Sequence, residues 1–475
     1  MSLPPMNLSA ELSWRGLIHQ VTDDGLLARL DTEPLTAYIG FDPTADSLHL
    51  GNLLMLCNLR RLQEAGHPVI ALAGGGTGMI GDPGGRTDER CLLTREVLEH
   101  NLAKIRGQLE RFVDLSGGRG RMVDNGEWLW STGLLEFLRD VGKHFTVNQM
   151  VAKDSVRSRF ERREPAGSGG TTEPAGSGGT TEPAGSGGTS RSGISYTEFS
   201  YMLLQGYDFL ELFRRYGCTL QGGGSDQWGN ITVGVDLIRR VAAAAAYGLT
   251  SPLVTRADGT KYGKSVAGAV WLDPARTSPY AMWQFLFNAE DLKVGQYLRM
   301  FTWCTHEEIV DLDRATVEAP GRRLAQRALA DAVTALVHGP EEATRAARAA
   351  AVLFTPDVAS LDEATLSAAL AEAPTAPLPE GGLSVLEALV AGGLAPSGGA
   401  ARRLVDQGGV SINGVKVDPA GAERLLTATD ALHGRYLLLR KGKRDQVVLR
   451  AGGTSPASAS DGPAGTGPSP APPAG

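Results

Sequence analysis

Cysteine and long apolar runs are scarce in this chain of 475 residues. Its four cysteines lie far apart without the spacing of metal ligands, which excludes a disulfide framework or a zinc module as the basis of the fold. No apolar run approaches the roughly 20 residues that a membrane-spanning helix needs. The N-terminus lacks a basic stretch followed by an apolar one, so we expect a cytoplasmic protein.

Lysine is also scarce, with nine lysines in the chain, and two of them fall in one short stretch, Lys261-Tyr262-Gly263-Lys264-Ser265. A compact ammonium charge binds phosphate oxygens well, so this stretch favours a polyphosphate site. The formal net charge of −7 argues against a basic surface for nucleic acid over the whole chain. Residues 383–450 differ, because this segment contains ten Lys and Arg and six Asp and Glu, which gives a local net charge of +4.

From residue 35 onward, short apolar strands alternate with amphipathic helices, which predicts a parallel sheet covered on both faces. We predict strands over 35–41 and 68–73, with a helix over 48–65 between them that ends at Gly66. Ligands of such sheets bind beyond the carboxyl ends of the strands. The loops that follow the two strands are rich in Gly, Pro and Asp, so the chemistry is expected there.

The remaining chain divides by composition. Residues 164–190 contain a nine-residue Gly/Ser/Thr/Pro unit three times, which predicts a flexible insertion. We therefore predict a Rossmann-like α/β domain (1–275), an α-helical domain (276–372), a proline-rich linker (373–382), a small α+β domain (383–450) and a disordered tail (451–475).

A first candidate site begins at the end of the first strand. His49-Leu50-Gly51-Asn52 opens a helix, where His49 and Thr44 can donate hydrogen bonds to a phosphate. Gly51 allows the backbone to approach an adenine ring closely. Such a tetrapeptide alone is more often chance than function, but its position and the later lysine stretch together predict a nucleotide site.

A second candidate site lies on one helix face. Tyr201, Gln205 and Asp208 are spaced i, i+4 and i+7, so they share a face of an otherwise apolar helix. If buried, these polar groups need partners, which a small polar substrate can supply. The alternative is a solvated face.

These motifs together resemble those of bacterial tyrosyl-tRNA synthetases, a family of class I aminoacyl-tRNA synthetases, from about residue 12 to 450. The first site is similar to the family's HIGH motif, and the lysine stretch to its KMSKS loop in the KFGKS form. Three further segments match in the family's order, namely Gly81-Asp82-Pro83, Tyr201 to Asp208, and Gln221-Gly222-Gly223-Gly224-Ser225-Asp226-Gln227-Trp228-Gly229-Asn230.

The resemblance implies a role for each matching residue. For tyrosine, Asp82, Tyr201 and Gln205 would hold the ammonium group, while Tyr38 and Asp208 would bind the phenolic hydroxyl. Residues implied at the catalytic phosphates are Thr44, His49, Asn52, Lys261 and Lys264, with Arg86 and Arg90 closing over pyrophosphate. Residues implied at ATP are Gly40, Asp42, Gly51, Gly224, Asp226, Gln227 and Lys264.

The family's reaction would proceed by attack of the tyrosine carboxylate on the α-phosphorus of ATP, followed by transfer of the tyrosyl group to tRNA. Mg²⁺ would arrive with ATP, and no resident metal site is predicted. For Arg86 and Arg90 the alternative is a solvated charge pair. The resemblance also implies a homodimer.

The small C-terminal domain resembles the family's S-four-like RNA-binding fold. We predict a helix over 397–407, then a strand over 410–412 and the turn Asn413-Gly414. A helix leading into a hairpin with basic residues suits contact with RNA phosphates. The predicted RNA-binding residues are Arg402, Arg403, Lys416, Arg440, Lys441 and Lys443.

The chain departs from the family at Asn52, where the motif has a second His, at Ile39, a position that is often Cys, and at the repeat insertion. Two alternatives to an active tyrosine enzyme remain open. One is a catalytically inactive RNA-binding protein on the same scaffold, which predicts a damaged pocket. The other is a related tryptophan enzyme, which has no need of the Tyr38 and Asp208 hydroxyl partners.

Overall fold

The computed structural model describes residues 7–81, 93–151, 195–265, 268–371, 373–442 and 445–451. Four predicted site residues, Asp82, Arg86, Arg90 and Lys443, lie outside these ranges, as do the side chain of Lys264 and the 164–190 insertion. The chain forms two compact units, residues 1–343 and 344–475. The finer predicted boundaries stay predictions.

The first unit is built on a six-stranded sheet in the order β1-β6-β5-β2-β3-β4. The strands are β1 (Gln20–Val21), β2 (Ala37–Phe41), β3 (Val69–Ala73), β4 (Gly120–Asp124), β5 (Leu220–Gly224) and β6 (Tyr247–Ser251). Only β1 runs antiparallel to its neighbour in this sheet. A short pair, β7 (Lys264–Ser265) and β8 (Gly268–Ala269), follows the sheet.

Helices cover this sheet and continue beyond it. They are α1 (Leu8–Trp14), α2 (Leu26–Thr32), α3 (Leu50–Glu64), α4 (Arg95–Phe112), α5 (Gly126–Leu129), α6 (Leu134–Asp140), α7 (Val147–Val151), α8 (Tyr196–Tyr216), α9 (Trp228–Ala242), α10 (Pro279–Phe287), α11 (Asp291–Phe301), α12 (His306–Glu318), α13 (Leu324–His338) and α14 (Pro340–Val352). In the described part of the chain, no helix is long and apolar enough to span a membrane.

The predicted β-α-β unit is confirmed with small shifts. Strands β2 and β3 pair in parallel, with Ala37 opposite Val69, and α3 lies between them in sequence. The backbone then turns at Gly66, whose φ of 99° lies in the region that favours glycine. Every residue of β3 is buried, as expected for a strand covered on both faces.

The second unit contains a five-stranded sheet in the order β12-β11-β14-β15-β9, together with the pair β10-β13. Its elements are α15 (Glu363–Ala369), β9 (Thr375–Leu378), β10 (Leu383–Ser384), α16 (Val385–Ala391), α17 (Gly398–Asp406), β11 (Val410–Ile412), β12 (Val415–Lys416), β13 (Leu425–Leu426), β14 (Tyr436–Lys441) and β15 (Asp445–Ala451). One apolar core joins both helices α16 and α17 to the sheet.

The predicted linker over 373–382 is wrong in part, because its residues Thr375–Leu378 form β9 and pair in parallel with β15. Pro377 suggested a break in structure, but β9 lies at the edge of the sheet, where a residue without an N–H is tolerated. Ala451, predicted to begin the tail, is the last residue of β15. The predicted helix and hairpin are confirmed as α17, β11 and β12.

Candidate active site

A cavity of about 330 Å³ opens beyond the carboxyl ends of β2 and β5, where a parallel sheet places its ligands. It brings together predicted residues from four separate motifs. They are Tyr38, Gly40, Asp42, Thr44, His49, Gly51, Asn52, Tyr201, Gln205, Asp208, Gly224, Asp226, Gln227 and Lys261.

One end of this cavity is formed by Tyr38 on β2 and Asp208 on α8, whose exposed fractions are 1% and 2%. Asp208 accepts hydrogen bonds from Trp128 Nε1 and from Asn125 Nδ2, each at 2.8 Å. Burial raises the pKa of Asp208 to about 8, and these two hydrogen bonds oppose the rise. The carboxyl group is therefore buried and fixed in direction.

The Tyr38 hydroxyl differs from Asp208, because it has no hydrogen-bond partner among the residues that the structure describes. Burial raises the pKa of Tyr38 well above its ordinary value, and the nearby Asp208 raises it further. A buried polar atom without a partner is uncommon and indicates a place for a ligand atom. Here that place is beside a carboxyl group.

A chain of hydrogen bonds leads from Asp208 toward the sheet. Asn125 also donates to Thr77 Oγ1 at 2.9 Å, and Thr77 donates to Asp42 Oδ1 at 2.8 Å. The second Asp42 oxygen accepts from the Tyr201 hydroxyl at 2.7 Å. A residue predicted for the nucleotide and one predicted for the ammonium group are therefore bonded directly.

Gln205 and Gln227 are joined in a similar way. Asn230 on α9 donates from Nδ2 to Gln205 Oε1 at 2.8 Å and to Gln227 Oε1 at 3.3 Å. The polar face predicted on α8 is thus directed into the cavity and not toward solvent. Gly224, two residues before Asp226, is also constrained, because a Cβ on Gly224 would lie 2.7 Å from Asp226 Oδ1.

At the other end of the cavity, α3 begins at His49. Asn52 Oδ1 accepts a hydrogen bond from the His49 backbone N–H at 3.1 Å. Asn52, where the family motif has a second His, therefore helps to cap the helix in which it lies. Gly51 allows little else at its position, because a Cβ there would lie 2.9 Å from His49 Cε1.

The lysine stretch lies against this helix start. The Leu50 N–H donates to Val270 O at 2.8 Å, and the Val270 N–H donates to Gly263 O at 3.0 Å. Gly263 has φ of 102°, and a Cβ on it would lie 3.3 Å from the Gly51 nitrogen. The two motifs, far apart in sequence, are therefore neighbours. Lys261 Nζ lies 3.9 Å from Asp226 Oδ2.

Three residues of the site were given no role by sequence reasoning. Asn125 and Trp128 orient Asp208, and Gln221 lines the cavity with a buried Oε1 that has no partner within the described ranges. Asn125 follows the end of β4, and a polar residue at that position was a signal that could have been used. Trp128 gave no such signal, because a buried tryptophan reads as core.

The predicted RNA-binding residues lie on the second unit. Lys416 is exposed on β12, and Arg402 on α17 forms an ion pair with Glu423. The Arg440 guanidinium lies 4.2 Å from the centre of the Phe354 ring, and Lys441 Nζ lies 3.7 Å from Asp445 Oδ2. Asn413 and Gly414 both have positive φ, which is typical of a tight hairpin turn.

Comparison with known proteins identifies two matching family models. The model described as tRNA synthetases class I (W and Y) matches residues 30–355, and the one described as a tyrosine–tRNA ligase SYY-like C-terminal domain matches residues 365–449.

Curated relatives match over most of their length. The tyrosine–tRNA ligase of Roseiflexus castenholzii is 49% identical over 447 residues, which cover 93% of this chain and 98% of that protein. The enzyme of the same name from Bacillus caldotenax is 46% identical over 449 residues, covering 94% and 100%. Among solved structures, a C-terminally truncated mitochondrial tyrosyl-tRNA synthetase of Aspergillus nidulans superposes with a TM-score of 0.61 at 31% identity, covering 73% of this chain and 94% of that one.

Proposed function

The chain belongs to the bacterial tyrosyl-tRNA synthetase family, and from this premise we propose how its residues perform the tyrosine–tRNA ligase reaction. Tyrosine and ATP form tyrosyl-adenylate and pyrophosphate, and the tyrosyl group then passes to the terminal ribose of tRNA. No finding favours the catalytically inactive alternative, since the pocket residues that the structure describes are all in place.

Recognition of the phenolic hydroxyl is supported by one observation, the unpaired Tyr38 hydroxyl beside the oriented Asp208. The substrate hydroxyl would donate to Asp208 and accept from Tyr38. Phenylalanine would bury both groups without a partner, and leaving a buried polar group unsatisfied costs about 1–3 kcal/mol. An indole ring likewise offers no hydroxyl at this depth.

The amino acid's ammonium group would be held by Asp82, Tyr201 and Gln205. The hydrogen bond from the Tyr201 hydroxyl to Asp42 supports this, because it fixes the Tyr201 side chain at the wall of the cavity. Gln205 accepts from Asn230, so its amide is also held in one orientation.

Adenylation needs no general base, because the tyrosine carboxylate is already ionised at neutral pH. The carboxylate oxygen bonds to the α-phosphorus as the bond to the bridging oxygen breaks, and pyrophosphate leaves with its negative charge. Catalysis is then positioning and charge stabilisation. We assign the latter to Thr44, His49 and Asn52 at the helix start, to Lys261 and Lys264, and to Arg86 and Arg90.

Adenosine would lie over the start of α3 and the end of β5. Gly51 and Gly224 let the nucleotide approach the backbone, Gly40, Asp42 and Gln227 line its site, and Asp226 would accept hydrogen bonds from the ribose. Mg²⁺ would enter with ATP as part of the substrate. The basic residues of the second unit would contact tRNA phosphates.

We also propose that the enzyme is a cytoplasmic homodimer. Large apolar side chains are exposed around α6 and α7, with exposed fractions of 70% for Leu134, 81% for Leu135 and 63% for Val147. Exposed apolar residues grouped in this way are typical of a protein interface. A second copy of the chain would cover them.

The test is tyrosine-dependent exchange of pyrophosphate into ATP, with phenylalanine and tryptophan measured alongside. Exchange with tyrosine alone supports the hydroxyl recognition described above. Exchange with none of the three would favour the inactive RNA-binding scaffold, and exchange with tryptophan would overturn the assignment of Tyr38 and Asp208.

A further inference from the structure

Lys261 is carried by a hairpin over residues 254–262. The Tyr262 N–H donates to Val254 O at 2.9 Å, Thr255 and Lys261 form an antiparallel bridge, and the Arg256 N–H donates to Thr260 O at 2.8 Å. This segment, which we call the lysine hairpin, presents Lys261 toward Asp226 and the cavity. Its own few hydrogen bonds do not fix where it lies.

The start and middle of α11 hold the lysine hairpin from outside the cavity. Tyr297 donates its hydroxyl to Thr255 O at 2.9 Å, and its ring stacks on Tyr262 with the ring centres 4.1 Å apart and the planes 25° apart. Glu290, immediately before α11, accepts from the Ala257 N–H at 2.7 Å. Together these contacts reach both strands and the tip of the hairpin.

The far end of α11 is held in turn. Arg61 donates to Met300 O at 2.9 Å and to Thr302 O at 3.0 Å, and Arg15 donates to Thr302 O at 3.0 Å. Buried arginines thus satisfy carbonyls at the C-terminal end of α11, which a helix cannot satisfy itself. Arg61 lies on α3, the helix that begins at His49. The position of the hairpin is therefore tied to the phosphate end of the cavity through α11 and α3.

We propose that Tyr297, assisted by Glu290, is a positioning residue for tyrosine adenylation that sets where Lys261 meets the triphosphate. The inference rests on the proposed role of Lys261 at the phosphates. Packing alone does not require it, since phenylalanine would fill the same space. What the tyrosine adds is a hydroxyl bonded to the carbonyl of Thr255, the residue paired with Lys261.

The test compares Tyr297→Phe, which removes only the hydroxyl bond, with Tyr297→Leu, which also removes the stacked ring. Tyr280→Phe is the matched control, because it removes a phenol hydroxyl bonded to Gln284 on the neighbouring helix α10. Single-turnover adenylation should slow about fivefold in Tyr297→Phe, the value of one hydrogen bond, and more in Tyr297→Leu. Tyrosine affinity and the rate of transfer from preformed adenylate should not change.

Two further readouts separate positioning from general damage. In a Lys261→Ala background, adding Tyr297→Phe should slow adenylation no further, because its effect passes through Lys261. Trypsin should also cleave after Lys261 faster in both Tyr297 variants. This cleavage reports directly how firmly the hairpin is held and does not depend on adenylation activity.

Several results would overturn the proposal. An unchanged adenylation rate in a folded Tyr297→Phe variant would do so. A double variant whose loss of rate equals the product of the losses in Tyr297→Phe and Lys261→Ala would also do so, because the two residues would then act independently. Faster cleavage without slower adenylation would also count against it. If Tyr297→Leu fails to fold, Tyr297→Phe alone decides. Failure of the wild-type protein to adenylate tyrosine would instead contradict the proposed function. The trypsin result would still show whether Tyr297 holds the hairpin in place.

Discussion

The two ends of the cavity, which we propose bind tyrosine and the phosphates of ATP, are built in different ways. At the tyrosine end, Tyr38, Asp208 and Trp128 are nearly fully buried and come from a central strand and from helices packed on it. At the phosphate end, Thr44 is exposed and the Lys261 side chain is 52% exposed. One end is part of the core, and the other is made of loops and a helix start.

The difference matches the role that we propose for each end. Selecting a hydroxyl requires polar groups that are dry and fixed, because a hydrogen bond is strong, and an unmade one is expensive, only where water is excluded. Binding a triphosphate and releasing pyrophosphate requires open access, and cations on loops can close over charge that develops in the reaction. Specificity and rate should therefore respond to different substitutions.

Lys264→Ala is expected to give the largest difference between the effect on adenylation rate and the effect on tyrosine binding. Removing a cation that stabilises transition-state charge should lower the single-turnover rate of adenylation about 100-fold or more. Tyrosine affinity, measured by equilibrium dialysis, should stay within twofold, because the tyrosine end is untouched. Lys104→Ala, at an exposed position on α4, is the matched control. An unchanged adenylation rate would remove Lys264 from the mechanism and weaken the division into two ends.

Asp208→Asn is expected to act at the other end, by changing the preference for tyrosine over phenylalanine. Replacing a carboxyl oxygen by an NH₂ group leaves the substrate hydroxyl without its acceptor, which should lower kcat/KM for tyrosine in pyrophosphate exchange by about 5- to 100-fold, the cost of a buried polar group left unsatisfied. Because phenylalanine has no hydroxyl to lose, its exchange should change little. Asp236→Asn, at a surface ion pair with Arg239, is the control. An equal loss for both amino acids would mean that Asp208 acts on the pocket as a whole.

The sequence predicts the two ends unequally. The motifs around His49 and Lys261 are local, and their sequence predicts a phosphate site without any knowledge of how the chain folds. At the tyrosine end, Asp208 was predicted from helix periodicity, but Trp128 and Asn125 contact it across 80 and 83 residues. Those partners depend on how α5 packs against α8, which no local pattern records.

The same limit applies elsewhere in the fold. The parallel β-α-β unit follows from apolar periodicity, whereas β9 was predicted as part of a linker because Pro374, Pro377 and Pro379 dominate the local pattern. Its pairing with β15 comes from residues about 70 positions later, a long-range contact that propensity cannot see. The hydroxyl of Tyr297 is a further case, since its contact with Thr255 joins two separate segments.

The buried Asp208 also predicts a pH dependence of stability at the tyrosine end. Its pKa of about 8 in the folded protein is above its ordinary value of 3.8, so the folded state holds this proton more tightly than the unfolded state. The stabilisation is fully present below about pH 4 and is lost as the pH rises through about 8. Asp208→Asn lacks this loss.

The unfolding temperature of Asp208→Asn, relative to wild type, should therefore rise between pH 4 and 8 and then level off. Differential scanning calorimetry at several pH values measures it, with Asp236→Asn again as the control. A difference that is flat with pH would show that Asp208 is not protonated in the folded protein, and that its hydrogen bonds outweigh its burial.

The smallest effects come from one substitution made at both ends, Tyr→Phe. Tyr38 and Tyr262 each bury a hydroxyl that has no hydrogen-bond partner within the described residues, and both line the cavity. Removing a buried, unpaired hydroxyl should stabilise the free protein in both cases by about 1 kcal/mol. Urea unfolding would measure this gain.

Function should separate the two variants even though their stabilities do not. Tyr38→Phe removes the donor proposed for the substrate hydroxyl, so kcat/KM for tyrosine should fall about fivefold while that for phenylalanine holds. Tyr262→Phe keeps the ring that stacks on Tyr297 and should change adenylation less than twofold. A comparable loss in Tyr262→Phe would mean that its hydroxyl meets ATP, and that the phosphate end, like the tyrosine end, uses a buried polar group to hold its substrate.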